Sequence, residues 1–230
     1  MATVDRRSAA GGEPPVDDDP EVVDPSQWLD RSSLDGDYMV MIEGLTAADW
    51  WRLAPERRIC EYLDGVVYMP SPASDDHQDV TLFWIDLLNG FRYARAPELV
   101  VRFGPGVLRL SPERFVEPDA FVLPMPGAAG PPALLVIEVL SKSTRTHDLK
   151  RKSAAYRQAG IPEYLYVDLA RKRLIPRGPE GGPATAAPVG AGIWRSKSLP
   201  GFWIEVGWLW QEPLPDPRAC LARILAGPPG

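Results

Sequence analysis

The sequence predicts an α/β fold, a mixed central β-sheet flanked by helices. Two apolar runs, residues 134–140 and 163–169, stand on either side of one amphipathic segment. That is the pattern of a strand–helix–strand crossover, and it makes the two strands parallel neighbours. Asp64-Gly65 between two further apolar runs signals a tight hairpin, so antiparallel pairs accompany the parallel one. The order helix, strands, helix, strand distributes helices along the chain instead of segregating them.

Each element has its own signal. Residues 1–37 are rich in Gly, Pro and Asp without periodicity, and predict an acidic disordered tail. Thr46, followed three residues later by Asp49, caps a short helix over 46–53. Residues 58–69 form the hairpin. A helix follows over 77–92, where Leu82, Ile85 and Leu88 share a face. Strands are expected over 99–103, 116–123 and 134–140, the last two joined by the Pro/Gly-rich stretch 124–132. A second helix runs over 147–159 and stops at Gly160. Strands 163–169 and from 172 come next, then a Gly/Pro/Ala-rich loop over 177–192 and closing β-structure over 193–210. The predicted organisation is a tail (1–37), one domain (38–212) and a C-terminal extension (213–230).

Charge is unevenly spread along the 230 residues. The tail holds ten acids and three arginines, so it carries −7 of the net −6 and leaves the remainder at +1. The low pI of about 5.1 therefore describes the tail, and does not exclude a nucleic-acid partner for the body. Cys60 and Cys220 lack metal-ligand spacing and are expected as free thiols. No stretch reaches the ~20 apolar residues of a membrane span, and no apolar signal region opens the chain. A cytoplasmic protein is expected. No Ser-His-Asp arrangement, phosphate-cradling Gly loop or zinc motif is present.

One residue breaks the apolar pattern. Leu134-Leu135-Val136-Ile137-Glu138-Val139-Leu140 reads as a buried strand with a carboxylate inside it, which costs several kcal/mol or more unless a cation or a proton compensates. Strand parity puts Glu138 on one face with Leu134, Val136 and Leu140. Glu117 and Asp119 share a face with Phe121 and Leu123. If the two strands are adjacent, Asp119 and Glu138 converge, and a divalent cation such as Mg²⁺ or Mn²⁺ removes their repulsion. On the helix, counting 100° per residue from Leu149, Lys152 falls at about 300° beside Tyr156 at about 340°, inside the apolar face. Residue types leave two readings open. One is a metal-dependent phosphodiesterase in which Lys152 stabilises transition-state charge. The other is a structural ion pair between Lys152 and Glu138.

The hairpin followed by His77, then Glu117-Pro118-Asp119, Ile137-Glu138-Val139-Leu140-Ser141, Asp148-Leu149…Lys152…Tyr156…Gly160-Ile161-Pro162-Glu163-Tyr164 and Leu199-Pro200-Gly201-Phe202 resemble the Uma-type restriction endonucleases of the PD-(D/E)XK nuclease superfamily. The similarity runs over about 45–210. It implies a restriction-endonuclease-like core, Mg²⁺-dependent DNA cleavage and a homodimer, with Asp119 and Glu138 binding metal. The superfamily's usual lysine position is Leu140 here. The resemblance moves that lysine to the helix, matching Lys152, with Lys142 as the rival on strand parity. Glu61 matches the acid of the family's hairpin motif and would help to hold the metal; otherwise it is a solvent-facing strand residue. His77 matches the histidine at the helix start, where it would touch phosphate or line the cleft, or simply begin the helix. His147 is expected at the surface.

Nine basic residues against three acids over 142–173 give a local +6. Lys142, Arg145 and Lys150 are the candidates for following a DNA backbone, which would make binding salt-sensitive. An ordinary solvated helix face is the alternative reading of these charges.

Overall fold

The computed structural model describes residues 2–5, 38–53, 59–127, 129–179 and 190–228. The first half of the chain forms β1 (Ala2–Asp5), β2 (Met39–Glu43), α1 (Ala47–Leu53), β3 (Glu61–Leu63), β4 (Val66–Pro70), α2 (Asp75–Arg95), β5 (Val100–Phe103), β6 (Leu108–Ser111), β7 (Arg114–Val116) and β8 (Ala120–Leu123). Next come β9 (Leu135–Val139), a π-helical turn (His147–Lys152) running into α3 (Ser153–Gln158), and β10 (Glu163–Asp168). The chain ends with β11 (Arg173–Arg177), β12 (Ile193–Arg195), β13 (Trp203–Glu205) and α4 (Pro217–Ala226).

A five-stranded sheet, β11-β10-β9-β8-β5, carries the expected crossover: β9 and β10 are parallel, and the other pairs are antiparallel. A six-stranded sheet, β1-β2-β4-β3-β7-β6, lies beside it. The hairpin β3–β4 turns on Asp64 (φ 51°) and Gly65 (φ 91°). Two consecutive left-handed residues match the right-handed strand twist, which is why an Asp-Gly pair sits there. Thr46 and Asp49 cap α1 reciprocally, each side chain accepting from the other's backbone N–H, at 2.9 and 3.1 Å. Ser74 caps α2.

Period-two alternation decides which side chains enter which layer. Leu135, Ile137 and Val139 face a core built with α2 and α4. Val136 and Leu140 face the space between the sheets, with Tyr68, Phe121, Tyr156 and Tyr166. The latter face carries Glu138, and Glu61 occupies the same side of its strand as the interlayer residue Leu63.

Three expectations change. The single strand over 116–123 is two strands in different sheets, β7 and β8, joined by the bend Glu117-Pro118-Asp119. Pro118 has no N–H for a ladder, so pairing breaks there. The C-terminal extension contributes α4 to the main core through Cys220 and Ile224, and Trp203 donates its indole N–H to the Ile224 carbonyl at 3.2 Å. Gly90 of α2 lies against Leu221 of α4, so a Cβ there would have to displace the Leu221 side-chain tip. Within the acidic tail, Ala2–Asp5 pairs parallel with β2. The rest of the tail, and residues 180–189 of the predicted loop, lie outside the described residues. Cys220 is a free thiol, as expected, and both cysteines are buried.

Candidate active site

Three features of the sequence converge on one small cavity. The parity of β3 and β9 aims Glu61 and Glu138 into the interlayer space. The Pro118 bend leaves Glu117 and Asp119 at the junction of the two sheets. The helix after β9 delivers a lysine. The cavity has a volume of about 50 Å³, enough for an ion or a few waters, and Glu61, His77, Glu117, Asp119, Glu138, Asp148 and Lys152 line it. The register Ala120↔Ile137, continued by one residue, sets Asp119 opposite Glu138.

Lys152 is 3% exposed. Its Nζ stands 2.6 Å from Glu138 Oε1, 2.8 Å from Glu61 Oε1 and 3.5 Å from Asp148 Oδ1. Lys152, which the helix arithmetic set inside the apolar face, lines this cavity. Lys142 is exposed, and Leu140 is buried in the interlayer core. The Tyr156 hydroxyl donates a short hydrogen bond to Glu138 Oε1. Glu61, far from being solvent-facing, is 3% exposed. It accepts from the Glu117 backbone N–H at 2.9 Å and pairs with His147 Nε2 at 2.8 Å.

Asp119 Oδ2 accepts from the Val139 N–H at 2.6 Å and lies 3.2 Å from His77 Nε2. Glu117 Oε1 accepts from the Cys60 N–H at 3.1 Å, while its Oε2 is buried without a hydrogen-bond partner among the described residues. His147 corrects the expectation of a surface residue: it is 4% exposed and stacks on Tyr68 with ring centroids 4.2 Å apart. Among the predicted DNA-contacting residues, Lys142 and Lys150 are exposed. The Arg145 guanidinium is instead held by buried Asp168 at 2.8 Å.

The electrostatics are those of too many acids for the cations present. Burial would raise the Glu61 carboxyl, but the Lys152 ammonium and then His147 outweigh it and hold it at about 2. Burial pushes Glu138 well above the carboxylate range despite Lys152, and raises Asp148 as well. Burial also carries Glu117 to about 8. Burial would lower the Lys152 ammonium, but Glu138 and Glu61 raise it well above the ordinary lysine value. Burial opposes the His77 imidazolium too, yet the hydrogen bond and charge of Asp119 raise it. One ammonium does not fully offset the burial of Glu61, Glu138 and Asp148 together, so the carboxyls of Glu138 and Asp148 are raised.

That imbalance is what a divalent cation relieves. The donors are hard carboxylate oxygens, and Glu117, which lines the cavity, has one buried oxygen unpartnered among the described residues. The residues therefore fit a Mg²⁺- or Mn²⁺-type ion. Among the described residues, no three His, Cys, Asp or Glu side chains are already gathered in ligating positions. Lys152 stands between Glu61 and Glu138, and His77 stands against Asp119.

The legible residues were Asp119, Glu138, Lys152, Glu61 and His77. Sequence reasoning assigned no role to Glu117, Asp148 or Tyr156. The shared parity of Glu117 with Asp119, and the four-residue step from Asp148 to Lys152, were the available signals. Among the described residues, no helix is long and apolar enough to cross a membrane.

Comparison with known proteins agrees with this architecture. No curated protein matches the chain. A crystal structure described as a "putative nuclease belonging to DUF820", from Anabaena variabilis, superposes with a TM-score of 0.57 at 13% identity, covering 72% of this chain and 97% of that one. At that identity the likeness establishes the nuclease-type fold alone. The family model Uma2, described as "Putative restriction endonuclease", matches residues 48–207, which include β3, the Glu117-Pro118-Asp119 bend, β9 and the helix with Lys152. The chain is a member of the Uma2 family.

Proposed function

We propose that the chain is a Mg²⁺-dependent DNA endonuclease, with Mn²⁺ as a substitute ion. The observation that carries the reading is Lys152: a fully buried ammonium, brought from a helix, 2.6 Å from the strand carboxyl Glu138. Asp119 and Glu138 would hold the cation, with Glu61 completing the acidic wall. When bound, such an ion polarises a phosphate oxygen and lowers the pKa of an attacking water. Lys152 would neutralise charge developing on the phosphate or orient the water, the task Leu140 cannot perform. Tyr156 fixes the Glu138 carboxyl, and Asp148 and Glu61 fix the ammonium. Lys142 and Lys150 would meet the DNA backbone outside the cavity. The same reading expects a homodimer acting in the cytoplasm.

The experiment is nicking of supercoiled plasmid with Mg²⁺ or Mn²⁺. Asp119→Ala and Glu138→Ala should each abolish nicking while circular dichroism shows an unchanged fold. Undiminished nicking by either variant removes the assignment. Analytical ultracentrifugation of the wild-type chain tests the dimer.

A further inference from the structure

We propose that the cleft beside the carboxylate cavity binds an unstacked nucleobase, with Trp210 as its stacking surface. The inference rests on the nucleic-acid reading of the cavity and names what accompanies the phosphate into the site.

The cleft has a volume of about 440 Å³, within the ~300–1,000 Å³ range of sites that hold small organic ligands. It lies beside the carboxylate cavity: His77 and Ser141 line both. A nucleotide whose phosphate enters the cavity therefore has its base within reach of the cleft. Trp210 is half-buried in the cleft wall. Its indole N–H donates to the Gly190 carbonyl at 3.0 Å, which restrains the ring, and base stacking on that indole is the contact proposed. Leu140 and Leu214 add apolar wall.

Three acids against one lysine make the cleft unfavourable for a phosphate away from that lysine. Asp76, Asp79 and Glu212 are exposed carboxylates on its lining and would repel one. Carboxylates only accept hydrogen bonds, so they suit a neutral ring that donates. Adenine, cytosine and guanine carry exocyclic amino groups that donate, whereas thymine has only its ring N3–H as a donor. Lys172, exposed at the cleft and held at φ 46°, is the cation available for the next phosphate along the strand. The occupant with this combination of features is an amino-bearing base of a single-stranded or locally opened nucleic acid, not a base stacked in a duplex.

The test is fluorescence anisotropy of the full chain with 5′-fluorescein-labelled (dA)₈, (dC)₈ and (dT)₈ in EDTA, where no cleavage occurs. Wild-type protein should bind (dA)₈ and (dC)₈ at least about 5-fold more tightly than (dT)₈, the lower bound for good base discrimination. Trp210→Ala should weaken (dA)₈ binding by about 5- to 140-fold, the range for losing one base–aromatic stack. Trp210→Phe should restore most of it. Asp79→Asn should narrow the preference over (dT)₈. Equal affinity for all three strands, or wild-type affinity in Trp210→Ala, overturns the base pocket. The outcome is separable from the nuclease reading. Trp210-dependent binding by a chain that never nicks plasmid keeps the pocket and removes the nuclease, and Trp210-independent binding by a chain that nicks does the reverse.

Discussion

His147 and Lys152 hold the two carboxylate oxygens of one residue, Glu61, at 2.8 Å each. In an α-helix, residues five apart are separated by about 140° around the axis and cannot share a target. The π-helical turn from His147 to Lys152 narrows that separation, because its wider turn, bonded between residues five apart, rotates less per residue. Its wider turn brings His147, Asp148 and Lys152 to the same cavity region as the strand carboxyls. The cluster ties β3 of one sheet to the crossover helix of the other, so it is structural and electrostatic at once.

The first prediction concerns acid stability. The Glu61 carboxyl is held at about 2 against an ordinary value of 4.5. A carboxyl lowered on folding stabilises the native state above its unfolded pKa, and that stabilisation is lost as pH falls through the folded value. For Glu61 the window runs from about 4.5 down to about 2. His147→Phe keeps a ring against Tyr68 but removes the hydrogen bond to Glu61. It should cost about 1.5–3 kcal/mol at pH 7, the usual loss for a bond to a charged group. It should also shift the acid-unfolding midpoint upward, read by circular dichroism from pH 6 to pH 1.5. An unchanged midpoint means His147 does not stabilise the Glu61 anion.

The second prediction separates the two lysines. Removing Lys152 leaves Glu61 and Glu138 buried without their cation, and breaking a buried pair in this way typically costs ~3–5 kcal/mol. Lys152→Ala should lose that much in urea unfolding and should lose nicking. Lys152→Met, of similar length, should recover part of the stability and none of the nicking. Lys142→Ala, at an exposed position, should stay within about 0.5 kcal/mol of wild type. Loss of nicking in Lys142→Ala with nicking retained in Lys152→Met would transfer the catalytic role to Lys142.

Strand parity and helical periodicity made the strand acids and the lysine legible. Asp119 and Glu138 follow from counting by two, and Lys152 from counting by 100°. From sequence, His147 is expected at the surface because no pattern singles it out, and nothing in Thr146-His147-Asp148 announces a π turn. The sheet division at Pro118 was misread for a related reason. Residues 114–123 keep an apolar pattern on both sides of the proline, and only the pairing of β7 with β3 and of β8 with β9 shows that they belong to different layers. α4 escaped notice although Cys220, Leu221, Ile224 and Leu225 make it apolar, because its place in the core is set by packing against α2, more than a hundred residues upstream. Long-range packing of this kind leaves little local signature.

The third prediction turns on Glu117, whose carboxyl burial raises to about 8 from 4.5. The sign is opposite to that of Glu61. A carboxyl raised on folding is protonated in the native state while the unfolded chain has already ionised, so the unfolded state gains between the two values. Stability therefore falls as pH rises from about 4.5 to about 8 and is level beyond that. Glu117 Oε2 is buried without a partner, so ionising it in place finds no donor among the described residues. Glu117→Gln removes the titration while keeping an acceptor for the Cys60 N–H. It should flatten the decline across that window and leave the variant more stable than wild type at pH 8 by a few kcal/mol, discounted from the full linkage value because part of the group is hydrated. Urea unfolding at pH 5, 6.5 and 8 measures this directly. Mn²⁺ supplies the same test from the other side: an ion in the cavity favours ionised carboxylates, so it should raise the midpoint of the wild type more at pH 8 than at pH 5. A wild-type profile as flat as that of Glu117→Gln would show that Glu117 ionises freely, and that the cavity is wetter than its burial implies.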